Sequence, residues 1–256
     1  MSLSKMTLFS LPGFPLVKPG DDLTFLIQEA LASSKESLLA GDVVVIAQKV
    51  FSKAQNRYVD LNNIVPSEEA VKLAEETQKD PRVVELILSE STEVVRHRPG
   101  VMVVAHRLGM VMANAGIDAS NVDPHEGQER VLLLPKNPNN DCLRMRKALQ
   151  KIFNVDLAVI MNDSVGRAWR LGTAGIALGA SGISPLWDLR GKPDLFGRPL
   201  LVSQTGLADE ISAAASILQG QGNEGTPIVI VRGLHFPDNG KDASSLLRAK
   251  DDDLFR

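Results

Sequence analysis

Residues 220–225 read GQGNEG, a letter-for-letter match to G-x-G-x-x-G, and the segments on either side of them decide the fold. The dinucleotide fingerprint needs a strand before the glycines and a helix after them, so that the helix N-terminus meets the pyrophosphate. Here the order is reversed. LADEISAAASILQ (207–219) has helical spacing and comes first, and PIVIVR (227–232) is a strand-like run that follows. The stretch is therefore not a Rossmann turn. It reads either as a helix C-cap at Gly220 followed by a turn, or as a connection whose backbone N–H groups cradle an anion. The chain also lacks G-x-x-x-x-G-K-[ST], which excludes a P-loop.

The rest of the chain supports the same reading. DDLTFLIQEALAS (21–33) predicts a helix, and GDVVVIAQKV (41–50) predicts a buried strand. PSEEAVKLAEETQK predicts a helix capped by Ser67, with Glu68 and Glu69 offsetting its dipole. DPRVVELILSESTEVVR (80–96) predicts a second, capped by Asp80 with Pro81 at its first position. Strand-like runs recur at 101–106, 109–113, 130–134, 156–161, 175–179, 200–204 and 227–232, with helices over 140–153 and 207–219. That order lacks the regular alternation of a doubly wound sheet, so the expected class is mixed α/β (α+β). The expected organisation is one unit over 1–236, with a tail at 237–256 that reads as a terminal helix or a frayed end.

The 256 residues are 44% hydrophobic and 23% charged, an ordinary globular balance. A net charge of −3 creates no positive field for nucleic acid or anionic membrane, so neither is an expected partner. Pro12, Pro15 and Pro19 interrupt the N-terminal apolar residues, and no run approaches the roughly 18 residues of a membrane span. The single Cys142 rules out an intrachain disulfide and fits a reducing, cytoplasmic setting. His97, His106, His125 and His235 show no metal-ligand spacing, and Trp169 and Trp187 read as packing residues.

Two stretches carry chemistry. LAVIMNDSVGRAWRLG (157–172) runs from an apolar strand into Asn162, Asp163 and Ser164, with Arg167 and Arg170 close behind. NAGIDASNV (114–122) follows the apolar run GVMVVAHRLGMVMA and presents Asp118 in the same way. Carboxylate oxygens hold Mg²⁺ or Mn²⁺, and arginine forks bind phosphate or acidic substrate. Asp118 and Asp163 at neighbouring strand ends thus predict a metal bridge.

These stretches fall in an ordered series with LPGFPLVKPGDDL, GDVVVIAQKVFSKAQNR, VPSEEAVKLAEETQKDPRVVELIL, DLRGKPDLFGRPL and GQGNEGTPIVIVRG. Over roughly residues 8–236 the chain resembles the coenzyme F420-0:L-glutamate ligases. The resemblance implies a two-lobed fold, a homodimer, and GTP-dependent ligation of L-glutamate to F420-0 through an acyl phosphate. It implies Asp118 and Asp163 as divalent-metal ligands, with Ser164 near a second ion. Lys53 and Asn121 fall at nucleotide-contacting positions. Pro12, Gly13, Phe14 and Pro15 resemble one of the family's loops that enclose the nucleotide, and Gly220, Gln221, Gly222, Asn223, Glu224 and Gly225 resemble another. The chain has Gln48 and Lys49 where the family pattern has Ser-Thr beside the nucleotide. It has Gln221 in place of a metal-binding Glu, and Ser164-Val165 in place of Thr-Asn. Alternatives are a paralogous ligase with another phosphorylated acid as acceptor, a nucleotide-binding regulator without turnover, or a metal phosphohydrolase.

Overall fold

The computed structural model describes residues 5–120 and 129–254. The strands are β1 (Thr7–Ser10), β2 (Val43–Ala47), β3 (Tyr58–Asp60), β4 (Ser91–Arg98), β5 (Val101–His106), β6 (Val111–Ala113), β7 (Arg130–Leu132), β8 (Ala158–Arg167), β9 (Arg170–Ser181), β10 (Trp187–Asp188), β11 (Gln204–Thr205) and β12 (Ile228–Arg232). The α-helices are α1 (Leu23–Ser33), α2 (Gln48–Ala54), α3 (Glu68–Thr77), α4 (Pro81–Ser89), α5 (Pro138–Phe153) and α6 (Leu207–Gln219). The class is mixed α/β, as expected.

The main sheet has the order β1-β12-β2-β8-β9 and is antiparallel except for the β2–β8 pair. The segments Val43–Ile46, Ala158–Met161 and Ile228–Val231 of its central strands are apolar at every position because both faces are covered. Val44, Ile46, Val159, Met161, Ile228 and Ile230 pack with α1, α2 and α5. The alternate residues Val43, Val45, Ala158, Ile160, Val229 and Val231 pack with α6. Period-two alternation thus divides one hydrophobic run between two cores. In β9, glycines let both helix layers approach. A Cβ on Gly175 would stand 2.3 Å from the Ser212 carbonyl oxygen, and one on Gly179 would stand 2.5 Å from that of Pro138.

A second, smaller sheet, β4-β5-β6, packs under α3 and α4 around Ala70, Ala74, Val84, Ile87, Met102 and Val104. The Ser67 and Asp80 caps are those read from sequence, and the structure adds a third at Asp22. Asp22 accepts from Thr24 and Phe25 N–H, Ser67 from Ala70 N–H, and Asp80 from Arg82 N–H, with Pro81 opening α4. Glu90 at the end of α4 accepts from Arg57 at 2.9 Å and from Arg107 at 2.8 Å. Arg57 also donates to the Leu134 carbonyl.

Five local expectations are corrected. The helix from Pro81 stops at Ser89, and residues 91–98 form β4 instead, because Ser91 to Arg98 pair with β5. The run at 41–50 turns from strand to helix at Gln48. At 200–204 only Gln204 is in a strand. Trp169 is 88% exposed at the β8–β9 tip rather than packed. The 237–254 segment is neither one helix nor a frayed end; it carries 3₁₀ turns at Ala243–Leu246 and Lys250–Asp252 and buries Ala243 against the α6 core. No helix among the described residues is long and apolar enough to cross a membrane. Asn121 and His125 lie outside the described residues.

Candidate active site

Strand register assembles one end of the main sheet. Leu11 N–H donates to the Ile228 carbonyl, Ala47 N–H donates to the Pro227 carbonyl, and Ala47 sits opposite Asn162 in the parallel pair. The Pro12–Pro15 turn, the start of α2, the glycine-rich loop before β12 and the middle of β8 therefore share this edge. Phe14 is buried in the main core and anchors its turn. Gly220 ends α6 with φ +71, and a Cβ there would stand 2.1 Å from the Glu224 carboxyl carbon. Only glycine fits that position.

Asp163 lies inside β8, opposite Ile176, rather than beyond a strand end. Its Oδ1 accepts from Ser164 N–H at 2.9 Å, and the Ser164 hydroxyl oxygen accepts from Gln221 Nε2 at 2.7 Å. Behind them, Asn162 Nδ2 donates to Gln219 Oε1 at 2.7 Å, and Gln219 Nε2 donates back to Asn162 Oδ1 at 3.0 Å. This amide pair fixes the end of α6, from which Gln221 reaches β8.

Asp118 comes from a different sheet. After β6, Asn114, Ala115 and Gly116 adopt φ of +50, +53 and +65, three successive left-handed residues. Left-handed backbone is costly for residues with a Cβ, which accounts for the small and amide side chains of this stretch. The turn directs Asp118 to bridge Leu132 of β7 with backbone hydrogen bonds of 3.0 and 2.8 Å. Its carboxylate then accepts from Ser120 N–H at 2.6 Å and pairs with Lys49 Nζ at 2.5 Å. Asp118 and Asp163 thus come from two different sheets, near enough that the charges of Asp118 and Lys49 both act on the Asp163 carboxyl.

The electrostatics follow from this. Burial alone would raise the Asp118 carboxyl, but hydrogen bonds from Lys49 and Ser120 outweigh it and hold the group below its ordinary value. Burial pushes Asp163 up to about 6, opposed by the Ser164 N–H and the Lys49 charge and reinforced by the charge of Asp118. Asp163 is the carboxylate that lacks sufficient positive charge.

The remaining expected residues divide. Lys53 lies one helical turn from Lys49 on the same side of α2. Gln48 turns inward, is buried, and accepts from Ser52 Oγ at 2.8 Å. In the glycine-rich loop the Glu224 carboxylate accepts from Gly222 N–H at 2.8 Å, so the cradle read from sequence encloses this side chain, with Asn223 and Gly225 exposed nearby. Arg167 and Arg170 face each other at the exposed β8–β9 tip. Arg167 is four residues beyond Asp163, about 13 Å along an extended strand, so the arginines do not join the carboxylates. Sequence reasoning missed Ser120 and the Asn162–Gln219 pair as supports of the site. Cys142 is buried in α5, where loss of solvent drives its thiol pKa upward, as suits a packing residue.

Among the described residues no group of three or more His, Cys, Asp or Glu is placed to hold a metal. Asp118, Asp163, Ser164 and Gln221 nevertheless offer only hard oxygen donors. Such a set fits a magnesium-like cation that keeps waters and takes further ligands from phosphate.

The match to the model of the F420-0:gamma-glutamyl ligase family spans residues 13–233. The chain is 43% identical to the coenzyme F420:L-glutamate ligase of Methanothermobacter thermautotrophicus, over 98% of this chain and 99% of that protein. It is 40% identical to the enzyme of that name from Methanococcus maripaludis strain C7, over 94% of each chain. The Methanopyrus kandleri enzyme is 42% identical over 94% of this chain and 93% of that protein. Similarity of this extent defines an enzyme of the ligase class. The chain belongs to the F420-0:gamma-glutamyl ligase family.

Proposed function

We propose that the protein joins L-glutamate to the phospholactate carboxylate of coenzyme F420-0, using GTP and Mg²⁺ or Mn²⁺, through an acyl phosphate. The convergence of Asp118, Asp163 and Lys49 at one sheet edge carries this reading. A carboxylate is a poor electrophile toward an amine, and transfer of the γ-phosphoryl group supplies a leaving group. The amine of glutamate then attacks the acyl carbon, phosphate leaves, and an amide, GDP and phosphate result.

Asp118, Asp163, Ser164 and Gln221 would hold the cation, which supplies charge neutralisation at the phosphates when bound. The Pro12–Pro15 turn and the Gly220–Gly225 loop lie on the same edge and flank the nucleotide. Lys49 and Lys53 direct ammonium groups to its phosphates. Family membership supports the acceptor and the amino acid; the oxygen donor set supports the cation.

A homodimer fits the surface. Leu195, Phe196, Leu201, Val202 and Leu171 are each at least 80% exposed, and apolar side chains of this kind are what a subunit interface covers. A cytoplasmic location is proposed with it, in keeping with the single buried cysteine. Mass spectrometry after incubation with F420-0, GTP, Mn²⁺ and L-glutamate tests the activity. The expected product is heavier than F420-0 by one glutamyl residue, and GTP hydrolysis without that product would refute the reading. Sedimentation velocity tests the dimer.

A further inference from the structure

The geometry points to Lys49 as a displaceable counter-cation of the candidate metal site. Its ammonium holds Asp118 in the free protein and must leave Oδ2 before that carboxylate can ligate a divalent cation. This inference rests on the metal-site reading given above.

Both Asp118 oxygens are engaged. Oδ1 accepts from Ser120 N–H, and Oδ2 pairs with Lys49 Nζ at 2.5 Å. A second contact of 3.5 Å joins the same ammonium to Ser120 Oγ, so the group sits over the turn that carries Asp118. The backbone places it there. Ala47, the last residue of β2, lies opposite Asn162, so α2 opens beside Asp163, and Lys49 is its second residue. The lysine and aspartate side chains retain 29% and 25% of their exposure, leaving the ammonium room to swing into the cleft.

Charge gives the consequence. Asp118 and Asp163 together carry two negative charges, of which Lys49 cancels one, while Gln221 and Ser164 add none. The free protein therefore presents a weakened site to a divalent cation. A bound nucleotide changes the balance, because its phosphates offer the released ammonium a new partner. Cation and nucleotide then strengthen each other's binding, and the coupling is reciprocal. Lys49 is in this sense a positioning residue that makes metal loading depend on nucleotide.

The test is Mn²⁺ binding followed by electron paramagnetic resonance at constant pH, with and without GDP, on the full-length protein. In Lys49→Met and Lys49→Gln, Mn²⁺ without nucleotide should bind about two- to fivefold more tightly, the scale of one partly exposed ion pair. The gain in Mn²⁺ affinity on adding GDP should shrink in both variants. Lys49→Arg keeps the charge and should resemble the wild type. Mn²⁺ binding that is unchanged or weaker in both neutral variants, with thermal melting showing them folded, overturns the inference. Asp118→Asn separates the two claims. If it binds Mn²⁺ as the wild type does, with or without GDP, the metal-site reading itself fails. If it loses Mn²⁺ while the neutral Lys49 variants gain nothing, only the role of Lys49 is rejected.

Discussion

Asn162 and Gln219 face each other through two reciprocal amide hydrogen bonds of 2.7 and 3.0 Å. They join the strand that carries Asp163 to the helix end that launches Gln221. Asn162→Ala leaves the Gln219 amide without this partner, at a cost of about 1–3 kcal/mol. It also frees the glycine-rich loop. The melting temperature should fall, and calorimetry should show GDP affinity reduced several-fold. Unchanged GDP affinity would limit the pair to a stabilising role.

Asp163 gives a prediction in which stability and activity move in opposite directions. Its carboxyl is raised from 3.8 to about 6 in the fold, so the folded state holds a proton that the unfolded chain has released. Stability therefore falls as pH rises through this window, and above it the ionised group penalises the fold. Asp163→Asn removes the penalty and should stabilise the cation-free protein at neutral pH by about 1–2 kcal/mol. The gain should vanish below pH 4, and ligation should be lost. A lower melting temperature at neutral pH would contradict this account.

Glu90 has the opposite sign. Burial would raise it, but the His106 ring 3.6 Å away and hydrogen bonds from Arg107 and Arg57 overcome that and bring it from 4.5 to about 2. Its contribution is fully present above 4.5 and is lost as pH falls toward 2. In Glu90→Gln the melting temperature should drop at neutral pH, by an amount equivalent to about 3 kcal/mol at most. The gap to wild type should close as the solution is acidified. A pH-independent gap would show that packing, not charge, accounts for the loss.

Gly175→Ala tests the helix–sheet contact. Its Cβ would stand 2.3 Å from a backbone oxygen of α6, which has no side-chain freedom with which to yield. Destabilisation of about 3 kcal/mol is expected by denaturant unfolding. A near-neutral result would mean that α6 shifts readily on the sheet.

Gln221→Glu addresses the donor set. A carboxylate near Ser164 Oγ adds a negative charge that hard cations prefer to an amide oxygen. Mn²⁺ binding without nucleotide should tighten at unchanged fold. If it does not, the residue lies outside the coordination sphere.

Much of the architecture was legible in the chain. Ser67 and Asp80 are local caps, and their hydrogen bonds span only two or three residues. The apolar runs of β2, β8 and β12 announce strands buried on both faces, and the helix-first context of GQGNEG rejects a dinucleotide fold. Asp118 and Asp163 were readable as candidates because each sits among small, turn-forming residues after an apolar run. β4 was not readable, since its polar, mostly exposed side chains become a strand only by pairing with β5. Nor could the sequence exclude Arg167 and Arg170 from the carboxylate cluster, because their distance from it depends on β8 continuing into a hairpin.

The site's partnerships were decided by tertiary structure alone. Asn162 and Gln219 are 57 positions apart, and Lys49 meets Ser120 across 71. Side chains so separated carry no local periodicity or capping signal to announce each other. Sheet register and the left-handed turn at Asn114–Gly116 bring them within hydrogen-bonding reach, and both of these exist only once the distant strands have paired.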